Sequence, residues 1–238
     1  MKKRLKYSLL LVLSALVLLH CNQDKQIVSP HTLTIFPLEQ AQYRITYVRD
    51  TSFTTAGRDK GIGDVYFKKE LIGAEEEDLL GRPISAVQVF RSDSFLYPTY
   101  DFKPSRVYSQ YLEPQEAGDY YAERIEENQR FIALQFPVFE GVSWNGNLYN
   151  NLGPETYRYQ TIDTTVVIRG KTYENCVMVV QRPYSKNFIS EEYAYEIYAP
   201  GIGLVKKYIY VIVKDLSGLD PFNPDESRVY IEEIEAHN

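Results

Sequence analysis

The chain has 238 residues, of which 32 are Asp or Glu and 26 are Lys or Arg, so its formal net charge is −6 at pH 7. This acidic balance argues against a nucleic-acid partner, because affinity for nucleic acid rests on neutralising phosphates with Lys and Arg. With 44% hydrophobic residues and two cysteines, a chain of this length buries enough surface to fold without disulfide staples.

The N-terminus has the parts of a secretory signal peptide. Lys2, Lys3 and Arg4 give a basic start, and an apolar run follows at residues 9–19. This run is too short for a membrane-spanning helix, which needs about 20 residues. A buried core helix is the alternative, but the run contains no charged residue and follows the basic start. We therefore predict that residues 1–20 are a signal peptide.

The only cysteine near this run is Cys21, in the sequence Leu18-Leu19-His20-Cys21. This sequence resembles the lipobox of bacterial lipoproteins. The resemblance implies that Cys21 is diacylated on sulfur, becomes the first residue and receives a third acyl chain. Two or more chains give stable membrane anchoring, so the membrane is the first expected partner.

The residue after the cysteine is Asn22, whereas many inner-membrane lipoproteins carry an Asp there. The resemblance therefore implies an outer-membrane lipoprotein of the cell envelope, on the periplasmic face or at the cell surface. Residues 21–34 are polar and without periodicity, and we predict that they form the lipidated tether.

The rest of the chain, residues 35–238, is predicted to be one all-β domain. Apolar and polar residues alternate in ten to eleven segments that are joined by short turns, and no segment reads as a convincing amphipathic helix. Residues 74–81 are predicted to be a loop or a single helical turn. The predicted strands cover residues 43–47, 65–71, 84–95, 107–112, 120–125, 130–136, 157–169, 171–182, 204–213 and 228–234, with one more before residue 200.

The strongest hairpin signal lies in residues 189–214. Two segments rich in Tyr, Val and Ile, which favour strands, flank Pro200-Gly201-Ile202-Gly203. The two glycines can adopt the positive φ values that a tight reversal requires. We predict an antiparallel hairpin and, from the spacing of the whole chain, one meandering antiparallel sheet.

Several short motifs occur in an order that resembles a group of uncharacterised envelope lipoproteins, akin to the DUF3108-type and LolA-like proteins. The resemblance implies a strongly curved antiparallel sheet, an open or half-closed barrel, whose concave face can hold an apolar guest such as an acyl chain. The motifs are Phe136-Pro137-Val138, Gly141, Trp144, Gly146-Asn147, Gly170-Lys171-Thr172-Tyr173 and Tyr198-Ala199-Pro200-Gly201-Ile202-Gly203-Leu204-Val205-Lys206.

The sequence offers no convincing catalytic or metal-binding residues. His20 lies in the predicted signal peptide, His31 in the predicted tether, and His237 is next to the last residue, so a catalytic triad or a histidine-based zinc site lacks a histidine in the body of the domain. Cys176 lies in an apolar segment and is predicted to be a buried small hydrophobe. Paired carboxylates such as Glu191 and Glu196 arise by coincidence on so acidic a chain. We therefore predict no enzyme activity, no cofactor and no metal.

The chain is rich in tyrosine, with 21 tyrosines, and has a single tryptophan. Tyr can simply pack its ring on a sheet and keep its hydroxyl in water; the alternative is a binding face. Trp144 is expected to fill one end of the core if it does not touch a ligand. The candidate ligand-binding residues are Trp144, Tyr195, Tyr198, Tyr208 and Tyr210.

Two functions therefore stay open. The first is a binding module that takes an apolar or lipid ligand inside the curved sheet. The second is a scaffold or accessory lipoprotein that binds another envelope protein through its outer face. A cavity lined by Phe, Tyr and Ile would favour the first, and a filled interior with an exposed aromatic patch would favour the second.

Overall fold

A computed structural model describes residues 34–53, 61–93, 100–115, 119–217, 222–223 and 226–238. The predicted signal peptide, the predicted acylation site Cys21 and all but the last residue of the predicted tether lie outside this part of the chain.

Twelve antiparallel strands form a single sheet, which confirms the predicted fold class. Within the described residues there is no helix, and so none that could cross a membrane. The strands are β1 (Tyr43–Ser52), β2 (Ile62–Glu77), β3 (Pro83–Ser92), β4 (Lys103–Pro114), β5 (Tyr120–Glu126), β6 (Gln129–Phe136), β7 (Ser143–Asn145), β8 (Thr156–Ile168), β9 (Lys171–Lys186), β10 (Ser190–Ala199), β11 (Gly203–Val213) and β12 (Arg228–His237).

Two strand features differ from the sequence prediction. The additional strand is β7, whose three residues are too few to show an alternating pattern. The other is the acidic segment predicted to be a loop or helical turn. Here β2 continues to Glu77, and Glu75 and Glu76 pair with Ser85 and Ile84 of β3.

The strands follow the order β6-β5-β4-β3-β2-β1-β12-β11-β10-β9-β8-β7. Each half of the chain is a meander of hairpins, and β1 and β12 join the two halves. The edge strands β6 and β7 therefore come from the middle of the chain. The pairing shifts register at several positions, including Ile197/Tyr198 and Ile72/Glu75, and such bulges bend a strand and increase its twist.

The sheet curls until its two edges meet. The Ile132 amide of β6 donates to the Gly146 carbonyl just after β7 (2.9 Å), and the Trp144 indole donates back to the Ile132 carbonyl (2.9 Å). The Tyr159 hydroxyl donates to the Gln135 carbonyl of β6 (2.6 Å). The result is a nearly closed barrel.

A short segment before β1 closes one end of this barrel. Ile35 and Phe36 insert into the main apolar core and are almost completely buried. Three hydrogen bonds hold their backbone neighbours: Gly201 N to Thr34 O (2.9 Å), Gln110 Nε2 to Pro37 O (2.8 Å) and Ser85 Oγ to Leu38 O (3.3 Å). We call residues 34–38 the plug segment.

The plug segment also explains a glycine in the β10–β11 turn. Gly203 has φ +85°, and a Cβ at this position would lie 2.9 Å from Pro37 Cδ. Both the backbone conformation and the close approach of the plug segment therefore require glycine there.

Three apolar clusters of buried residues pack the described sheet, the smallest formed by Ile72, Val87, Val89 and Tyr108. The main core joins the plug segment to β5–β11 and contains Trp144, Tyr159, Val179, Tyr198 and Leu204. A second cluster lies on the other face of β8–β12 and contains Ile168, Ile197, Val205 and Ile234. Cys176 belongs to the second cluster and is buried, as predicted, and burial raises the pKa of its thiol to about 11.

Candidate ligand-binding site

A cavity of about 570 Å³ lies inside the barrel, away from the plug segment. The plug segment contacts Ser85 at the start of β3 and Gln110 near the end of β4. The cavity is instead lined by Val89 and Arg91 at the end of β3 and by Arg106 near the start of β4. The plug segment thus closes one end of the barrel, and the cavity lies toward the opposite end.

A second compartment of about 220 Å³ adjoins this cavity, and the two share five lining residues. Small-molecule pockets are typically about 300–1,000 Å³, so the combined space suits a small ligand. We call the two compartments together the barrel cavity.

Thirteen of the 27 residues that line the barrel cavity are charged. Phe131, Leu204 and Ile209 belong to the apolar part of its wall. The cavity is therefore polar where the sequence predicts an apolar one lined by Phe, Tyr and Ile. The cations in its lining are Lys68, Arg91, Arg106, Arg124, Arg182, Lys207 and Arg228, and the carboxylates are Glu70, Glu126, Glu127, Glu155, Glu196 and Glu232.

A buried ion network on β1, β2 and β12 forms part of the wall. Lys68 Nζ lies 2.6 Å from Glu232 and 3.3 Å from Glu70, and Arg44 pairs with Glu70 from the neighbouring strand. The Thr46 hydroxyl also donates to Glu232 (3.0 Å). The network forms because Thr46, Lys68 and Glu232 lie on the inward face of adjacent strands.

The charges in this network hold one another ionised. Burial alone would raise the pKa of Glu70, but Arg44 and Lys68 outweigh burial and lower it well below its ordinary value. Burial likewise opposes the ionised form of Glu232, and Lys68 again lowers the pKa. In return, Glu232 and Glu70 raise the pKa of Lys68 against its own burial.

A second buried network lies on the neighbouring strands β10 and β11, where Lys207 pairs with Glu232 in the register of β11 and β12. Glu196 accepts from Lys207 Nζ (2.8 Å) and from the hydroxyl of Tyr198. Burial of Glu196 acts to raise its pKa, but the positive charges of Lys207 and Arg124 outweigh burial and bring the pKa to about 2. Glu196 is therefore a carboxylate at any physiological pH.

The remaining charged side chains of the lining are paired closer to the surface. Arg91 lies 2.9 Å from Asp64, Arg228 lies 2.7 Å from Asp50, and Arg106 lies 3.4 Å from Glu126. These pairs involve more exposed side chains than the two buried networks, so solvent screens them more and each contributes less to stability.

The predicted ligand-binding residues do not form one site. Tyr198 is buried beside the barrel cavity, where its hydroxyl accepts from Arg124 (3.4 Å). Trp144 belongs to the main core rather than to the cavity lining, in line with its expected role in the core. Tyr195, Tyr208 and Tyr210 lie on the outer face, because strand neighbours of Tyr198 and Lys207 point away from the barrel interior.

The outer tyrosines form a surface of their own. Tyr195 and Tyr208 stack at 5.3 Å and 24°, Tyr193 lies 5.2 Å from Tyr195, and Tyr184 lies 6.4 Å from Tyr193. A groove of about 560 Å³ follows at Tyr210. We call these five tyrosines the outer aromatic surface.

The sequence alone does not predict the main residues that line the barrel cavity. Lys68, Glu70, Arg124 and Glu232 look like the solvated positions of half-exposed strands, because each has an apolar residue on one side and a charged residue on the other. A usable signal exists on β2, where Tyr66, Lys68, Glu70 and Ile72 share a face. A face that is both charged and interrupted by large apolar residues fits a buried polar interior better than open water.

Among the described residues there is no cluster of three or more His, Cys, Asp or Glu side chains that could hold a metal ion.

Comparison with known proteins gave two structural similarities. The chain is similar to a putative lipoprotein from Parabacteroides distasonis, with 12% identity over 86% of this chain and 98% of that one and a TM-score of 0.41. It is also similar to a putative exported protein with a YmcC-like fold from Bacteroides fragilis, with 12% identity over 85% and 98% and a TM-score of 0.42. No family model and no curated protein matches the sequence.

Proposed function

We propose that the protein is a lipid-anchored outer-membrane lipoprotein that binds a small amphiphilic molecule in the barrel cavity. The anchor rests on the sequence, namely the signal peptide and the lipobox-like segment ending in Cys21. The binding function rests on the cavity. These two parts of the proposal are independent and are tested separately.

The observation that supports binding is that the barrel interior contains a cavity and buried charged side chains. Apolar side chains that filled the same space would stabilise the fold equally well. Interiors are normally close-packed, and a buried ion network is often no more stable than well-packed apolar residues of similar volume. A cavity of about 570 Å³ walled by Lys68, Glu232, Lys207 and Arg124 thus has the character of a site rather than of a core.

The ligand has both polar and apolar parts, since both occur in the wall. A wholly apolar guest would strip water from the charged side chains without replacing their hydrogen bonds. Phe131, Leu204 and Ile209 offer contact area to an apolar portion. An acyl chain is therefore acceptable only as part of a molecule that also carries a polar group.

The binding function is tested with the mature chain carrying Cys21→Ser, which lacks the acyl chains. Native mass spectrometry with a panel of amphiphiles of about eight to twelve carbons is expected to show a one-to-one adduct. Ile209→Ala should weaken that adduct, whereas Ile212→Ala should not, because Ile209 lines the barrel cavity and Ile212 lines the outer groove. Failure of every panel member to bind would contradict the proposal.

The anchor is tested in a host that processes lipoproteins. Cys21→Ala is expected to abolish labelling by a clickable palmitate analogue and to release the domain from membranes, because no other cysteine lies near the predicted cleavage point. Cys176→Ala is the matched control and should leave labelling unchanged, since that thiol is buried. Labelling that persists in Cys21→Ala would refute the anchor.

The scaffold function is a second candidate, and the outer aromatic surface favours it. Tyr184 and Phe188 are mostly exposed beside the groove at Tyr210, and clustered exposed aromatic residues are typical of protein interfaces. Loss of a co-purifying envelope protein in Tyr184→Ala, with ligand binding in the barrel cavity intact, would support this function.

A further inference from the structure

The cationic side chains around the barrel cavity are almost all matched by a carboxylate. Lys207 lies 2.8 Å from Glu196, and Arg182 lies 2.6 Å from Glu155. Lys68, Arg91, Arg106 and Arg228 each also have a carboxylate oxygen within 4 Å. The positive charges of these side chains are therefore already paired with carboxylates of the protein.

Arg124 is the exception. Within the described part of the chain, no carboxylate oxygen lies within ion-pair distance of its guanidinium, and its Nε has no hydrogen-bond acceptor. Its one hydrogen bond, from Nη2 to the Tyr198 hydroxyl, is long at 3.4 Å. Arg124 is nevertheless only 7% exposed.

Burying an arginine in this way costs folding free energy. A buried guanidinium stays charged, because the positive charge cannot be lost by deprotonation near neutral pH. Burial without matching acceptors leaves its donors unsatisfied. The rings of Phe36 and Tyr198, each 5.9 Å from the guanidinium carbon, give weak compensation.

The position of Arg124 fits a ligand contact. Its side chain lines both compartments of the barrel cavity, so it stands where they join. Phe131 and Ile209 line both compartments as well and supply apolar contact there, beside the charged side chains of Glu126 and Lys207. The planar fork of a guanidinium binds a carboxylate or phosphate through two parallel hydrogen bonds.

We propose that Arg124 binds the anionic group of the ligand, a carboxylate or a phosphate monoester, and that Phe131 and Ile209 contact its apolar part. This inference rests on the proposed function and narrows the ligand to amphiphilic anions. The paired cations serve this role less well, because each would first have to give up a carboxylate partner.

The test compares four ligands with the same eight-carbon chain: octanoate, octyl phosphate, 1-octanol and octylamine. Binding to the mature Cys21→Ser chain is measured by isothermal titration calorimetry. At least one of the two anions is expected to bind about tenfold or more tightly than octanol and octylamine. The ratio of octanoate to octyl phosphate affinity distinguishes a carboxylate site from a phosphate site.

Arg124→Gln is expected to weaken binding of the preferred anion by about 10- to 100-fold and to leave octanol binding unchanged. Arg169→Gln is the matched control, because Arg169 is paired with Glu235 and does not line the barrel cavity; it should change the affinity less than about threefold. Arg124→Lys keeps the charge and loses the fork, so its anion affinity should fall between those of the wild type and Arg124→Gln. Arg124→Gln removes one of the two positive charges that hold Glu196 ionised, so its melting temperature should fall below that of the wild type, whereas Arg124→Lys keeps that charge.

The outcomes separate the two proposals. Equal affinity of the wild type for octanoate, octyl phosphate and octanol, or unchanged anion affinity in Arg124→Gln, would overturn the role of Arg124 and leave the cavity as a ligand site. If Arg124→Gln does not fold, the wild-type preference and Arg124→Lys decide the question. Absence of binding by all four ligands would overturn the role of Arg124 together with the proposed function.

Discussion

Replacing Lys68 with methionine is expected to lower the free energy of unfolding by about 3–5 kcal/mol, as measured by urea denaturation. Lys68 is buried between two carboxylates, 2.6 Å from Glu232 and 3.3 Å from Glu70. Without its charge, Glu70 keeps Arg44, but Glu232 is left with the neutral hydroxyls of Thr46 and Tyr230. A buried carboxylate without a counter-charge is strongly destabilising.

The neighbouring residue provides the control. Lys69 points to the opposite face of β2, where its ammonium lies over the ring of Tyr43, so Lys69→Met should cost less than about 1 kcal/mol. The double variant Lys68→Met with Glu232→Gln should recover part of the loss, because it removes both charges together. Equal stability of Lys68→Met and wild type would show that the network is not buried as described.

Trp144→Ala is expected to cost about 3–5 kcal/mol as well, for a different reason. Its indole is 6% exposed, donates to the Ile132 carbonyl and contacts the rings of Tyr157 and Tyr159. The substitution would open a void in the main core and remove a contact between the two edges of the sheet, so the barrel would lose closure along with packing.

Two further variants separate these effects. Trp144→Phe keeps much of the packing but leaves the Ile132 carbonyl without the indole donor, which should cost about 1–3 kcal/mol. Tyr184→Ala removes a mostly exposed ring of the outer aromatic surface and should change stability by less than about 0.5 kcal/mol. A loss in Tyr184→Ala as large as that in Trp144→Ala would contradict the assignment of Trp144 to the core.

The fold was predictable because its strands are long and its turns are local. The β10–β11 hairpin, with Gly201 and Gly203 in the turn, forms as predicted. The alternation in β10 also assigns faces correctly, with Tyr195 and Tyr198 on opposite sides of the sheet. The pattern misses β7, because a three-residue strand is held by its neighbours rather than by a pattern of its own, and it misses the acidic end of β2, which has no apolar alternation.

The site was not predictable, because its residues meet only when the sheet curls. Lys68 on β2 and Glu232 on β12 are far apart in the chain and become neighbours because β1 lies between these two strands. The direction of curling decides which face becomes the interior, and the local sequence does not encode this direction. The sequence groups the four candidate tyrosines only by residue type. The curvature of the sheet places Tyr198 inside the barrel and the other three outside.

The plug segment gives the cavity a direction relative to the proposed anchor. The described chain begins at Thr34, whose carbonyl accepts from Gly201 at the plugged end. A tether from Cys21 would therefore join the domain at that end, with the barrel cavity toward the other. This arrangement leaves the cavity accessible to a ligand that arrives from the side away from the lipid anchor.

The central claim is that the ligand enters the barrel cavity and not the groove of the outer aromatic surface. Ile209 and Ile212 report on these two places from the same strand. Methyl-resolved NMR of the Cys21→Ser chain, titrated with octanoate and octyl phosphate, should show saturable shifts at the Ile209 methyl groups and none at those of Ile212. Shifts at Ile212 with an unperturbed Ile209 would contradict the claim and place binding on the outer surface.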